Sequence, residues 1–321
     1  MGMDREKERF SPPRCIELLR KFKEKGPLPP GKELRFSGVD GKDVYNITAP
    51  FITGFGDGKK TIIAGRVEER EASADSHIMF FEEKDGVWTP LKDAPTFPLE
   101  DGFVTSIGNE IIFCGVEVYP KPVEDDPNEV GYRTVFYRGQ DLSSFEQFAT
   151  GPDMMKDIRV VALANGRIGV FTRPQGGSNE EGKIGYVEID DLEDLNDPRV
   201  ILGARIIEGQ FAPGEWGGVN DLHLLPDGRI EIIGHIAHKD AQGNKHYYAM
   251  TFVYDPKEHY ASPIEIIATR KNFPEGGAKT PEKEDIVFPS SLVHNGDGTG
   301  TLYAGLSDAK AGKITLPPRS L

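Results

Sequence analysis

Five stretches of the chain share one plan, and this repetition limits the reachable folds more than any other feature. Each has a strand, a Gly or Asn/Asp-Gly turn, a second apolar strand, then polar residues. They read "NITAPFITGFGDGKKTIIAGRVEER", "EDGFVTSIGNEIIFCGVEVYP", "KDIRVVALANGRIGVFTRPQG", "VNDLHLLPDGRIEIIGHIAH" and "VFPSSLVHNGDGTGTLYAGLSDA". Gly58, Gly108, Gly166, Gly228 and Gly298 are expected to supply the positive φ of the tight hairpins. After the first four units a third strand follows ("SHIMFF", "RTVFYR", "KIGYVEI", "HYYAMTFVY"). Most then add an edge strand such as "GVWTPL" or "IEIIATR". Four-stranded sheets repeated about an axis make a β-propeller, so the pattern predicts an all-β, five-bladed β-propeller. The last unit runs out at "AGKITLPPRSL", and "KELRFSGVDGKDVYNI" is placed to supply the missing strand. The expected division is an N-terminal helix and extension over 1–30 and a propeller over 31–321. A β-sandwich followed by a second domain is the competing layout, but no Pro/Ser linker or charge block marks its boundary.

A net charge of −14 and the lack of a Lys/Arg stripe argue against a nucleic-acid surface. No apolar stretch approaches the roughly 18 residues of a membrane span. The charged start "MGMDREKERF" lacks a signal-peptide core, and Cys15 and Cys114 read as buried free thiols, so a cytoplasmic location is expected. Helical periodicity occurs only in "SPPRCIELLRKFKEKG", with Ile16, Leu18, Leu19 and Phe22 as the apolar face and Gly26 as the stop. The sequence leaves oligomeric state open.

In a propeller, the starts of first strands and the ends of second strands meet at one mouth of the axis. Here the starts carry Asn46 and Thr48, Glu100 and Asp101, Lys156 with Asp157 and Arg159, Asn220 and Asp221, and Ser290 and Ser291. The ends carry Arg66, Glu68 and Arg70, Glu117, Arg173 and Gln175, His235 and His238, and Asp308. This mixture predicts a ligand funnel. Its carboxylates, amides and aromatics (Trp216, Tyr247, Tyr248) suit a polyhydroxylated ligand, and Lys156, Arg159, Arg173 and His235 suit one phosphate-sized anion. Blander readings stand beside these. Asp101 could cap a turn, Arg66 and Glu68 could pair across a blade edge, and Trp216 could pack instead of stacking on a sugar. No residue spacing reads as a metal site, so no metal is expected. "GGSNEEG" lacks the Lys-Ser/Thr and following helix of a P-loop.

At these residues a family becomes visible. "YNITAPF", "IAGRVEER", "EDGF", "MKDIRVV", "GRIGVFTRPQG", "EWGGVND", "IIGHIAH" and "DIVFPSSL…TLYAGLSDA" resemble the domain-of-unknown-function 1861 family, in order from Asp43 to Asp308. That family is similar to the five-bladed mannoside phosphorylases and hydrolases of glycoside hydrolase family 130. Its characterised relatives are the β-1,2-mannosyltransferase/phosphorylases of glycosyltransferase family 108. The resemblance implies that Asp101 is the catalytic acid. It implies that Asn46, Arg66 and Asp308 hold the mannosyl unit, to which Glu68, Asp157 and Asn220 are added as substrate-binding candidates from their places at the mouth. It implies that Lys156, Arg173 and His235 hold phosphate.

The chemistry is consistent. Inverting hydrolysis needs an acid and an opposing carboxylate base, whereas phosphorolysis needs one acid and cations that place an already anionic nucleophile. The expected activity is therefore inverting phosphorolysis or transfer of mannosyl units. The expected partners are a β-mannooligosaccharide and phosphate or a sugar phosphate, with no cofactor beyond phosphate. Hydrolysis, with Glu68 or Glu117 as base, and non-catalytic sugar binding are the alternatives. Two departures from the family pattern stand out. Gly102 replaces the usual Pro after the acid, loosening that backbone, and Lys279-Thr280-Pro281 replaces a Lys-Arg-Pro run.

Overall fold

A computed structural model describes residues 14–319 except 57, 71, 123–128 and 176–181. The Ser11–Pro13 start of the expected helix, most of "GGSNEEG" and the acidic run from Val123 therefore lie outside the described residues. Most of the chain is β-strand. After β1 (Lys32–Glu33), the first group comprises β2 (Asp43–Tyr45), β3 (Phe51–Phe55), β4 (Gly58–Glu69), β5 (Ala72–Lys84) and β6 (Val87–Pro90). The second holds β7 (Glu100–Ile107), β8 (Glu110–Pro120), β9 (Val130–Gly139) and β10 (Glu146–Thr150). The third holds β11 (Arg159–Ala162), β12 (Ile168–Thr172), β13 (Gly185–Ile189) and β14 (Arg205–Ile206). The fourth run has β15 (Glu215–Leu224), β16 (Ile230–Lys239), β17 (Lys245–Asp255), β18 (Tyr260–Ala261) and β19 (Glu265–Ala268). The last has β20 (Asp285–His294), β21 (Gly300–Leu306) and β22 (Lys310–Leu316).

By hydrogen bonding these form four sheets. The fourth and last runs share one, joined by the parallel pairs His246–Asp285 and Tyr247–Ile286, and β1 completes its far edge by pairing with β22. The apolar side chains explain the stacking. Strand residues alternate faces, and several strands are apolar on both. On β16, Ile230, Ile232 and Ile236 pack toward Val161 and Tyr186 of the third group, while Ile233 packs toward Val287 and Leu302 of the last. On β4, Ile62 and Ala64 meet Phe113 and Val135 of the second group, while Ile63 and Val67 meet Tyr303 and Ala311 of the last. A further cluster joins the second and third groups through Phe103, Phe136, Val160 and Val170. The chain of apolar interfaces thus returns to its start, which leaves the polar ends of the inner strands facing one another.

Those inner strands are irregular at matching places. The pairing slips between Glu100 and Phe103, Val219 and Asp221, and Pro289 and Ser291. In the first group the strand breaks between β2 and β3. Asn46 and Asp101 sit at two of these irregularities with φ of 45° and 50°, and Asp157, two residues before β11, has φ of 59°. Asn and Asp tolerate this left-handed region better than other non-glycine residues, and such kinks re-aim side chains.

The structure corrects several expectations. The positive φ in the first hairpin belongs to Gly56, not Gly58, because the turn is two residues earlier than the pattern suggested. The helix α1 (Cys15–Glu24) buries Cys15 and Leu18, with Leu19 and Phe22 packed beside them, whereas Ile16 is 70% exposed. Counting from Cys15 gives the i, i+3, i+4, i+7 stripe that Ile16 does not fit. Gly102 does not loosen the chain. A Cβ there would lie 2.9 Å from Ile78 Cδ1 and 3.4 Å from Phe113 Cε2, so the side chain of β5 fills the space a larger residue would need. Gly102→Ala is expected to cost about 1–3 kcal/mol by overpacking. Adding Ile78→Val, which removes the obstructing methyl, should recover much of that loss. A double-mutant cycle by urea unfolding measures the coupling, and simple additivity would show that Ile78 is not the obstacle.

Candidate active site

The polar ends converge on one cavity of about 700 Å³. Its lining includes Asn46, Arg66, Asp101, Lys156, Asp157, Arg173, His235 and Asp308, eight of the ten residues given a catalytic, sugar-binding or phosphate-binding role from sequence. Glu68 and Asn220 stand behind the lining and reach it through Arg66 and His235.

Asp101 is fixed on one side only. Its Oδ1 accepts from Asn46 Nδ2 at 2.7 Å and from Arg66 Nη1 at 3.3 Å, while Oδ2 makes no hydrogen bond with the described residues. Asn46 is itself wedged, since a Cβ on Gly305 would fall 2.0 Å from its Oδ1. Arg159, expected in the funnel, is instead buried behind it. Its guanidinium lies over the Phe103 ring and donates to the Asp101 carbonyl at 3.5 Å. Arg66 serves three carboxylates at once, reaching Glu68 and Glu100 at 2.7 Å as well as Asp101. Glu68, 1% exposed, also accepts from Tyr45 Oη at 2.6 Å and pairs with Lys279. Burial raises the Glu100 pKa against the pull of Arg66.

On the other side, Arg173 donates from Nη1 to Asp157 Oδ2 at 2.8 Å and from Nε to the Gly217 carbonyl at 2.9 Å. Burial alone would raise Asp157, but Arg173, Arg159 and Lys156 outweigh it and bring its pKa to about 2. The Lys156 ammonium lies 5.8 Å from the Tyr132 ring centroid and has no carboxylate partner among the described residues. His235 departs from the expected cationic role. Burial, reinforced by Arg173, drives its pKa to about 3, so the ring is neutral. Its Nδ1 lies 2.8 Å from Asn220 Oδ1, an acceptor, so Nδ1 carries the proton and the unpartnered, buried Nε2 is left as an acceptor.

Other candidates are placed elsewhere. Tyr247 lines the cavity, stacked on His235 at 5.6 Å, and accepts from Trp216 Nε1 at 3.2 Å, so Trp216 supports the wall. Tyr248, one residue on, points to the opposite face and donates to Asp285 at 3.0 Å. His238 stacks on His246, which pairs with Asp285. Asp221 and Ser291 bond each other at 2.7 Å beyond the kinks. Glu117 pairs with Arg133 and is absent from the lining. Among the described residues no group of three or more His, Cys, Asp or Glu is arranged to hold a metal. Sequence reasoning assigned no role to Lys245, Lys279 or Lys283, which also line the cavity. They lie at the first residue of β17 and on the stretch before β20, outside the strand ends used to locate the mouth.

The comparisons with known proteins fit this geometry. A sequence profile of the family described as "Protein of unknown function (DUF1861)" matches residues 20–318, and the chain belongs to that family. Among solved structures it is similar to MPT-4, a mannose phosphorylase from Leishmania mexicana in complex with phosphate ion. The identity is 37%, the TM-score 0.83, and 94% of this chain and 92% of that one are covered. It is also similar to MPT-1, a GDP-Man-dependent mannosyltransferase from Leishmania mexicana, at 34% identity and TM-score 0.84, with 95% of each chain covered. A structure from work on the GH130 family of mannoside phosphorylases shares the fold at 14% identity and TM-score 0.57, over 87% of this chain and 86% of that one. No curated protein sequence matches.

Two predictions follow from the buried charges. His235 has a folded pKa below its unfolded value of 6.5, so the unfolded chain takes that proton first. Its contribution is whole above pH 6.5 and is lost as pH falls toward about 3. That of Asp157, present above 3.8, is lost only as pH falls through about 2. Thermal unfolding across pH should therefore show stability falling from 6.5 downward, and His235→Gln should move the onset into the carboxylate range. An unchanged profile would mean that the ring is already charged. Glu68→Gln leaves Arg66 and Lys279 short of a buried counter-charge and is expected to cost about 3–5 kcal/mol in urea unfolding.

Proposed function

We propose that the protein is a mannoside phosphorylase-type enzyme, transferring a mannosyl unit between a β-mannoside and phosphate with inversion. One observation carries this reading. Asp101, held by Arg66 and Asn46 through Oδ1 alone, lines the same cavity as Lys156 and Arg173, so an acid and a pair of cations share one space. The two similar Leishmania mexicana proteins, described as a mannose phosphorylase with phosphate and as a GDP-Man-dependent mannosyltransferase, support the substrate class.

In the phosphorolytic direction, phosphate held by Lys156 and Arg173 attacks the anomeric carbon from the face opposite the glycosidic oxygen. The C1–O bond to the leaving sugar breaks as a C1–O–P bond forms, and Asp101 delivers its proton to the departing oxygen through Oδ2. The neutral His235 stands beside Arg173 and adds no charge to the phosphate side. Asn46, Arg66 and Asp308 contact the mannosyl unit, with Glu68 and Asn220 positioning Arg66 and His235 and Asp157 orienting Arg173. Phosphate is a co-substrate, and the scheme uses no further cofactor.

Hydrolysis is disfavoured because the bases available to it are occupied: Glu68 is locked by Arg66, Tyr45 and Lys279, and Glu117 lies away from the cavity. We further propose that the five strand groups over 31–321 are blades of one propeller, with 1–30 as an appended helix and extension. The returning chain of apolar interfaces and the β1–β22 pairing support this. The two buried free thiols support a cytoplasmic location.

The test is mannose 1-phosphate release from β-1,2-mannooligosaccharides, with and without inorganic phosphate. Phosphate-dependent release is expected, and Asp101→Asn should lower it by about 10²–10⁴-fold. Free mannose without phosphate would instead establish a hydrolase. Binding without turnover would leave a sugar receptor.

A further inference from the structure

The start of β17, at the edge of the cavity, gathers three lysines, of which only Lys283 is ion-paired among the described residues. Lys245 on β17 is paired directly across from Lys239 on β16, and like charges so opposed destabilise a sheet. Lys283, from the short turn Pro281–Lys283, brings a third ammonium, and burial together with Lys283 and Lys239 lowers the Lys245 pKa. Lys245 has no ion pair or side-chain hydrogen bond with the described residues. Nearby acids are committed elsewhere. Asp308 takes Lys283 at 2.8 Å, Asp240 holds Asn244 and His246, and Glu282 accepts from Thr280 at 2.7 Å. In a chain of net charge −14, a half-buried lysine left unpaired beside two others breaks the local pattern. Such breaks are expected where a ligand repays them.

This edge is separate from the first cationic side. Along β16 and β17 the Lys239–Lys245 pair lies two residues beyond Ala237–Tyr247 and four beyond His235–Ala249, about 13 Å along the strands. Arg173 packs beside His235 against Gly218, so a phosphate held by Lys156 and Arg173 leaves Lys245 unmet. The Tyr247 ring stacks on His235 and lies on the same strand face as Lys245, two residues away. An aromatic wall beside lysines suits a sugar ring carrying a terminal phosphate. Flexible ammonium groups meet such a group as point charges and do not select planar carboxylates.

We propose that Lys245 and Lys283 form a second anion site, which binds the phosphate of a phosphorylated sugar at the acceptor end of the cavity. The word acceptor rests on the phosphorylase-type reading, whereas the site itself does not. The same lysines would also attract a nucleoside diphosphate, so the test separates the two.

Isothermal titration of the full chain with mannose, mannose 6-phosphate and guanosine diphosphate, with and without saturating inorganic phosphate, reads the site independently of turnover. Mannose 6-phosphate should bind at least about tenfold tighter than mannose. Inorganic phosphate at the first site should leave that preference in place, as should Lys156→Ala. Lys245→Ala should abolish it while leaving the thermal midpoint unchanged or higher, because a like-charge pair is relieved. Equal binding of mannose and mannose 6-phosphate would overturn the proposal, as would a preference lost in Lys156→Ala. Tighter, Lys245-dependent binding of guanosine diphosphate would overturn its assignment to a phosphorylated sugar. Loss of phosphorolysis with this binding retained would reject the phosphorylase-type reading and keep the second site.

Discussion

A single guanidinium organises one wall of the cavity. Arg66 binds Glu68, Glu100 and Asp101 together, and none of these acids could be buried so close to the others without it. Removing charge from water is costly, and the cost is offset only when every buried ion has an opposite charge in good geometry. The arrangement extends outward from there. Glu68 is shared with Lys279, Asp101 with Asn46, and the backbone of Asp101 is held by Arg159. The freedom left to the Asp101 carboxylate is confined to one oxygen.

The opposite wall follows the same rule with the signs exchanged. There Asp157 is the shared counter-ion, pinned by Arg173, and the imidazole next to it stays neutral because burial, reinforced by Arg173, disfavours its charged form. A cavity with cations on one wall and a half-bound acid on the other has the groups that the proposed reaction uses. The left-handed kinks at Asn46, Asp101 and Asp157 connect this chemistry to the fold. They turn three inner strand ends inward at equivalent places, so repetition of a strand pattern becomes repetition of a site-building device.

Much of this was legible from residue order. The repeated strand–turn–strand units anticipated the strand groups, because a side-chain period of two and a glycine turn survive in almost any context. Polar residues at strand ends identified most of the cavity lining for the same reason. What was misread depended on side chains from distant sequence. Gly102 looked loose until Ile78 was seen to fill its space, and Ile16 looked buried because an apolar residue one place off the stripe cannot be told from one on it. His235 looked cationic because its charge is set by burial and by Arg173. Lys245 and Lys283 were passed over, and Lys279 was noticed only as a departure from the family pattern, because they lie outside the repeat.

The sequence by itself determined the β-rich repeat and the ends at which polar residues would gather, since these are properties of local pattern, and its motifs marked Asp101 as the candidate acid. The tertiary structure decided which of those polar groups face the cavity, which stand behind it and which oxygen of Asp101 is free. It also decided that His235 is neutral and that a second set of lysines shares the space. Those outcomes depend on burial and on charges brought within a few ångströms from far along the chain, and no local pattern encodes such distances.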